Sequence, residues 1–519
     1  MRHTRRRLVV PAAAGLLATA MTVTTLASGG AALGAATASG AAAYQSAGST
    51  GAPTIRLIVT QKNITVPRYG KRVYLDPGIW VAALRAPLQI DVARSSYTKP
   101  IQATEIMKLH GATIMRSLPS WVLAAHWSGL RDFIRLQVRN VHGKVVATSK
   151  INFCPNTYDP ERTGPDSTST SVYPQSCGAY DPFPLSSVWG VARGWAVDPM
   201  ETGYCPGCFP GPIGGPGLKL KLGKYHVTET IPSDYGRLFG IPARDRSATV
   251  TIHVVKSRGC CGVGVSHRQR PASKPLPSLP RNVPLLSHAP AGALPDLVPL
   301  PSWGINTSHV RKSHQDFLNF GATVWVGGNS PLDVEGFRTP GSSTMKAYQY
   351  YWRNGHIIGR TRAGIMFYDN EKGHHHWHFQ QFAKYVLLNA SKKVAVRSEK
   401  VGFCIAPSDA VDMAMPDATW QPSQIGLAGQ CGTPTAMWVQ EYMPIGWGDT
   451  YNQYKAGQAF NITHLADGTY YIEIIANPEH LLHEVTRSND VSLRKVIITG
   501  PAGHRHVRVP AWHGIDPEK

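Results

Sequence analysis

Acidic side chains are scarce in this chain, with 32 Asp and Glu against 53 Lys and Arg over 519 residues, a formal net charge of +21. Long apolar runs are scarcer still. After the N-terminal region no stretch is apolar for long enough to cross a bilayer, which excludes a transmembrane anchor after processing. No helical periodicity of ten or more residues appears in the first half, and no repeat recurs at a solenoid period. Helical bundles and repeat arrays are thereby set aside.

The N-terminal region itself has the layout of an export signal. Arg2 and Arg5-Arg6-Arg7 precede an apolar stretch from Leu8 to about Ala27, and Ala36-Thr37-Ala38 offers a small-residue cleavage site. Residues 1–43 are therefore read as a signal peptide with an Ala/Gly-rich leader. The arginine cluster leaves Sec and twin-arginine export both open. In a secreted or envelope-associated protein this basic charge suits an anionic cell-wall polymer or an acidic substrate better than nucleic acid, and plain solvation is the bland alternative. Eight cysteines in an exported chain point to disulfides. Spacing suggests Cys154 with Cys177 and Cys404 with Cys431. Cys205-Pro206-Gly207-Cys208 is read as a local structural bridge, since no strand–helix pattern of a thioredoxin domain surrounds it. Cys260-Cys261 has no assignable partner.

Strand signals dominate what remains. Thr54–Thr60, Leu218–Leu222 and Ala248–Val255 read as strands, and Phe133–Val141 with Val145–Phe153 reads as a hairpin about His142-Gly143. These define an all-β, sandwich-like domain over 52–256, interrupted by an irregular Pro/Gly/Cys-rich stretch near 155–216. Residues 257–293, with Pro271, Pro275, Pro277, Pro280 and Pro284 closely spaced, read as a stiff linker. A second β-sandwich-like domain follows over 294–499. Its strands include Ala322–Val326, Ala347–Trp352, His374–Leu388, Ala459–Thr463, Thr469–Ala476 and Val491–Thr499. The tail, 500–519, has no periodicity and is expected to be disordered.

Chemistry concentrates in Gly373-His374-His375-His376-Trp377-His378. Successive side chains of a strand face opposite ways, so His374, His376 and His378 project together. Three imidazoles from one face suit copper or zinc equally. A solvated hairpin tip is the bland alternative, but the core-like run Phe379, Phe382, Tyr385–Leu388 continues directly from the histidines.

With these residues the second domain resembles the lysyl oxidase family, the copper-dependent protein-lysine 6-oxidases. Leu294-Pro295-Asp296-Leu297-Val298-Pro299 resembles the family's opening. The His-x-His-x-His run resembles its copper site, implying His374, His376 and His378 as Cu2+ ligands. Lys400-Val401-Gly402-Phe403-Cys404, Asp449-Thr450-Tyr451, Asn477-Pro478 and Ser488-Asn489 follow in the family's order. The resemblance covers about 294–499 and implies an organic cofactor, lysine tyrosylquinone, built from Lys400 and Tyr451. It implies oxidative deamination of primary amines, peptidyl lysine or small amines, to aldehydes with dioxygen, releasing hydrogen peroxide and ammonia. Animal members carry a histidine where this chain has Lys384, before Tyr385. The general base is therefore open among Asp449, His480, His483 and Glu484. Two rivals stand beside the oxidase: a non-catalytic metal-binding protein of the cell surface, and a zinc hydrolase that lacks the usual His-Glu-x-x-His helix. The basic N-terminal domain is expected to dock the protein at the envelope and to be dispensable for oxidation of small amines.

Overall fold

The computed structural model describes residues 55–109, 111–157, 159–168, 171–178, 180–200, 215–257, 283–370, 375–398, 400, 402–421, 431–455 and 457–518. The signal region, Cys205, Cys208, Cys260, Cys261, most of the expected linker and His374 lie outside them. No helix among the described residues is long and apolar enough to cross a membrane. The architecture is all-β. Among the described residues a single α-helix, Ser233–Leu238, stands among strands gathered into several sheets.

The first half builds its largest sheet from Asn63–Arg68, Ser247–Lys256, Gly223–Thr230, Leu130–Asn140 and Val145–Phe153, in that order. The expected hairpin is present as the last two strands, turning over Gly143 at φ +77°. Alternation explains it: Ile134, Leu136 and Val138 are buried while Arg135 and Arg139 are exposed. A second sheet orders Ser186–Val191, Leu88–Ala93, Gln102–Leu109 and Ala112–Leu118.

In the second half, one sheet runs Pro295–Pro299, Gln315–Gly328, Trp447–Tyr451, Asp409–Ala410. Another runs Gly402–Phe403, His376–Gln380, His356–Asp369, Thr344–Arg353, Leu332–Arg338, Trp438–Met443. A third joins Val394–Arg397, Ala383–Asn389, Gly468–Ala476, Val491–Thr499 and His506–Arg508. The single strand expected over 374–388 is thus two strands in different sheets. The break falls at Gln381, whose φ of +66° no extended residue adopts.

Among the described residues every sheet draws its strands from one half, but the halves touch closely. The 180–186 segment of the first half bonds along 409–414 of the second. Phe183 is fully buried beside Leu300, Trp325 and Val411. Residues 38–519 form one compact unit. The tail departs from expectation. His506–Arg508 pairs with Val491–Thr499, the buried Arg494 holds Glu518, and Trp512 packs edge-on against Tyr97 and Phe183. Its order comes from partners distant in sequence, which no local pattern records.

Candidate active site

Lys400 follows the Val394–Arg397 strand and is held by Ser398. The Ser398 hydroxyl accepts the Lys400 N–H at 3.1 Å and donates to the Gly457 carbonyl at 3.1 Å. Gly457 has φ +80°, and a Cβ there would lie 2.9 Å from the Lys400 Cβ. Glycine is therefore what lets the lysine stem pass. Lys400 is only 8% exposed, and its Nζ lies 4.3 Å from the centroid of the Tyr451 ring and 4.9 Å from that of Phe403.

Tyr451 ends the Trp447–Tyr451 strand, opposite Ala322. Its hydroxyl accepts the Cys404 N–H at 2.9 Å and donates to the Cys404 carbonyl at 3.3 Å. Its ring meets Phe403 edge-on at 5.3 Å. Burial pushes the phenol well above its ordinary range, and the Asp449 carboxylate adds to the rise. Asp449 lies two residues earlier on the same strand, so the two side chains share a face. Burial raises Asp449 too, against the opposing pull of Lys400 and a backbone hydrogen bond from Ala406. Tyr385, fully buried, stands edge-on to both Phe403 and Phe320. Glu441, also buried, accepts the Ile405 N–H at 3.1 Å.

The histidine run is less regular than predicted. His375 has φ +45° and its carbonyl takes the Tyr368 hydroxyl at 2.7 Å, so strict alternation begins only at His376. From there it holds. The His376 and His378 rings lie 4.7 Å apart on one face, while Trp377 turns to the other and donates to the Thr433 carbonyl. His378 is buried with its Nδ1 3.3 Å from Asp369 Oδ2. An imidazole held by a carboxylate at Nδ1 presents the lone pair of Nε2, a common arrangement in metal-ligating histidines. Among the described residues no group of three or more His, Cys, Asp or Glu side chains is arranged to hold a metal. Two imidazoles side by side, one backed by Asp369, are donors of the kind that nitrogen-rich metal sites use.

The two parts of the site meet at residues 402–404. Phe379 pairs with Phe403 and Gln380 with Gly402, and a Cβ on Gly402 would lie 2.9 Å from the His378 Cβ. The Cys404–Cys431 disulfide then closes the frame, for the Cys431 carbonyl accepts the Trp377 N–H at 2.9 Å. Both bridges expected from spacing are present, the other being Cys154–Cys177.

Of the candidate bases only Asp449 borders Lys400 and Tyr451. His483 binds Gln349 through its backbone and faces Tyr351; Glu484 holds Asn477 and the Leu297 N–H; His480 lies near Asp490. Lys384 neighbours Tyr385 on its strand and so projects from the opposite face. No sequence pattern marks Asp369, Glu441 or Gly457 as part of the site. Asp369 could have been noticed only by pairing it with His376 across two strands.

No curated protein matches the chain. A family model does, over residues 363–504, a segment that holds the histidine run, Lys400, Asp449 and Tyr451 but not the Leu294–Pro299 opening. That model is lysyl oxidase, and the likeness of this chain to that family is shown for this segment.

Proposed function

We propose that the protein is an exported copper-dependent amine oxidase. It converts primary amines, peptidyl lysine or small amines, to aldehydes with dioxygen, releasing hydrogen peroxide and ammonia. The observation that carries this reading is the 4.3 Å approach of the Lys400 amine to the Tyr451 ring, two side chains 51 positions apart in a largely buried setting. A lysine beside a phenol is the pair from which lysine tyrosylquinone forms, and His374, His376 and His378 would hold the Cu2+ that its formation needs. The cofactor supplies an electrophilic carbonyl and an electron sink for the bound amine.

The remaining roles belong to the chain. Cys404 clamps the Tyr451 oxygen from both its N–H and its carbonyl, fixing the ring's orientation. Phe403 packs edge-on against that ring. Asp449, made more basic by burial, takes a proton from the Lys400 Nζ and leaves the amine nucleophilic. The same carboxylate is the group best sited to accept a substrate proton. Export is supported by the N-terminal signal pattern and the two disulfides, and the charge of +21 supports an anionic envelope polymer as partner.

The test is expression with copper, quinone staining on a denaturing gel, intact mass, and hydrogen peroxide release across protein lysine, peptide and polyamine substrates. Staining that disappears in Tyr451→Phe is expected. Copper-loaded protein with both Lys400 and Tyr451 unmodified would overturn the assignment in favour of a metal-binding surface protein.

A further inference from the structure

The first half of the chain meets the strand end that carries Tyr451 through residues 180–186. Arg94 Nε donates to the Pro184 carbonyl at 3.0 Å and the Tyr97 hydroxyl to that of Phe183 at 3.0 Å, fixing residues 180–186 from behind. The Phe183 N–H closes a turn on the Asp181 carboxylate at 2.7 Å. With the segment so shaped, two of its amides point at one acceptor in the second half. Tyr180 N–H donates to Asp409 Oδ1 at 2.6 Å, and Asp181 N–H to Asp409 Oδ2 at 3.2 Å. Asp409 Oδ2 also receives the Thr450 hydroxyl, which meets the Thr323 hydroxyl at 2.8 Å. Thr450 stands between Asp449 and Tyr451. Asp181 and Asp409 are 1% and 2% exposed, so water does not substitute for these bonds.

We propose that Tyr180 and Asp181 are positioning residues for the oxidase site, acting through Asp409 and Thr450, and that the N-terminal half is part of the catalytic apparatus. This rests on the Lys400–Tyr451 reading given above. It replaces the expectation of a dispensable docking domain. Thr450 sits on the face opposite Asp449 and Tyr451, so tethering it sets the tilt of the strand end that carries both. A strand end free to shift by an ångström would lose the close approach of ring and amine.

The full-length protein tests this with Asp409→Asn, Thr450→Val, Thr450→Ser and Ser186→Ala. Asp409→Asn turns an amide NH2 toward the Asp181 or Tyr180 N–H, and Thr450→Val deletes the hydroxyl at nearly constant volume. Ser186→Ala removes two other bonds of the same interface, the one it donates to Asp412 at 2.5 Å and the one it accepts from the Ala414 N–H at 2.7 Å. Asp409→Asn and Thr450→Val should lose roughly tenfold to a hundredfold in kcat and in quinone yield with KM unchanged. In metal-free protein both should speed acetylation of Lys400 by acetic anhydride, read by mass spectrometry. Thr450→Ser should restore all three, and Ser186→Ala should alter none. Wild-type behaviour of Asp409→Asn and Thr450→Val, or equal losses in Ser186→Ala, overturns the proposal. If wild-type protein forms no quinone, the oxidase reading fails by itself, and the acetylation rates still decide whether this tether orders the site.

Discussion

Replacing Cys404 and Cys431 by alanine removes a bridge between residues 27 apart; replacing Cys154 and Cys177 removes one between residues 23 apart. Chain entropy makes the two nearly equal, about 3.5 kcal/mol each. For cooperative unfolding of the unit spanning 38–519, the entropy of unfolding is about 1 kcal/mol/K, so either loss lowers Tm by about 3–4 °C. Their effects on the site should diverge. Cys404 holds the Tyr451 hydroxyl by both its amide and its carbonyl, and Cys431 holds the Trp377 N–H between His376 and His378. At the other bridge, Asn156 still ties the loop through the Ser176 and Val188 carbonyls and the Gly190 N–H. The Cys404/Cys431 double variant should therefore bind copper roughly tenfold or more weakly and stain poorly for quinone. The Cys154/Cys177 variant should keep both. Calorimetry with copper titration and gel staining makes the comparison. Equal copper affinity and equal staining in the two variants would refute the claim that the Cys404–Cys431 bridge frames the site.

Asp449→Asn should lower kcat by roughly a hundredfold while leaving copper content unchanged, and His483→Ala should change kcat less than about twofold; steady-state peroxide assays with equal losses in both would refute the role given to Asp449. Stability should fall as pH rises. Burial holds Asp181 up to about 8 and Glu484 up to about 7, whereas unfolded carboxylates titrate near about 4. The folded chain thus keeps protons that the unfolded chain has released. The stability these groups contribute is full below about pH 4 and is lost as pH rises through the folded values, at about 1.4 kcal/mol per pH unit for each group. Denaturant unfolding of metal-free protein between about pH 5 and pH 8 should show the decline, flattened in Asp181→Asn; a free energy that climbs with pH in the wild type would contradict it.

Local patterns recorded local geometry well. The period of two put His376 and His378 on one face because strand pleating depends on nothing beyond the backbone. Hairpin punctuation found Leu130–Asn140 and Val145–Phe153 for the same reason. Patterns failed where a single backbone angle intervened. His375 and Gln381 adopt positive φ without being glycine, and each ends an alternation that the side chains alone would continue. The folding of the tail was invisible because Trp512 and Glu518 find Tyr97, Phe183 and Arg494, partners whose distance in sequence carries no periodic signal.

By itself the sequence determined the all-β class, the basic charge and the order of the chemically active residues, and its spacing suggested two cysteine pairs, since each depends on composition, alternation or separation along the chain. Only the tertiary structure decided that Lys400 lies against Tyr451, that Asp449 alone of the candidate bases borders them, and that the Tyr180 and Asp181 amides meet Asp409, the carboxylate that also receives the Thr450 hydroxyl. Those relations arise from strand register and sheet packing, in which the energy of a contact depends on distance in space and is indifferent to the number of residues between its partners.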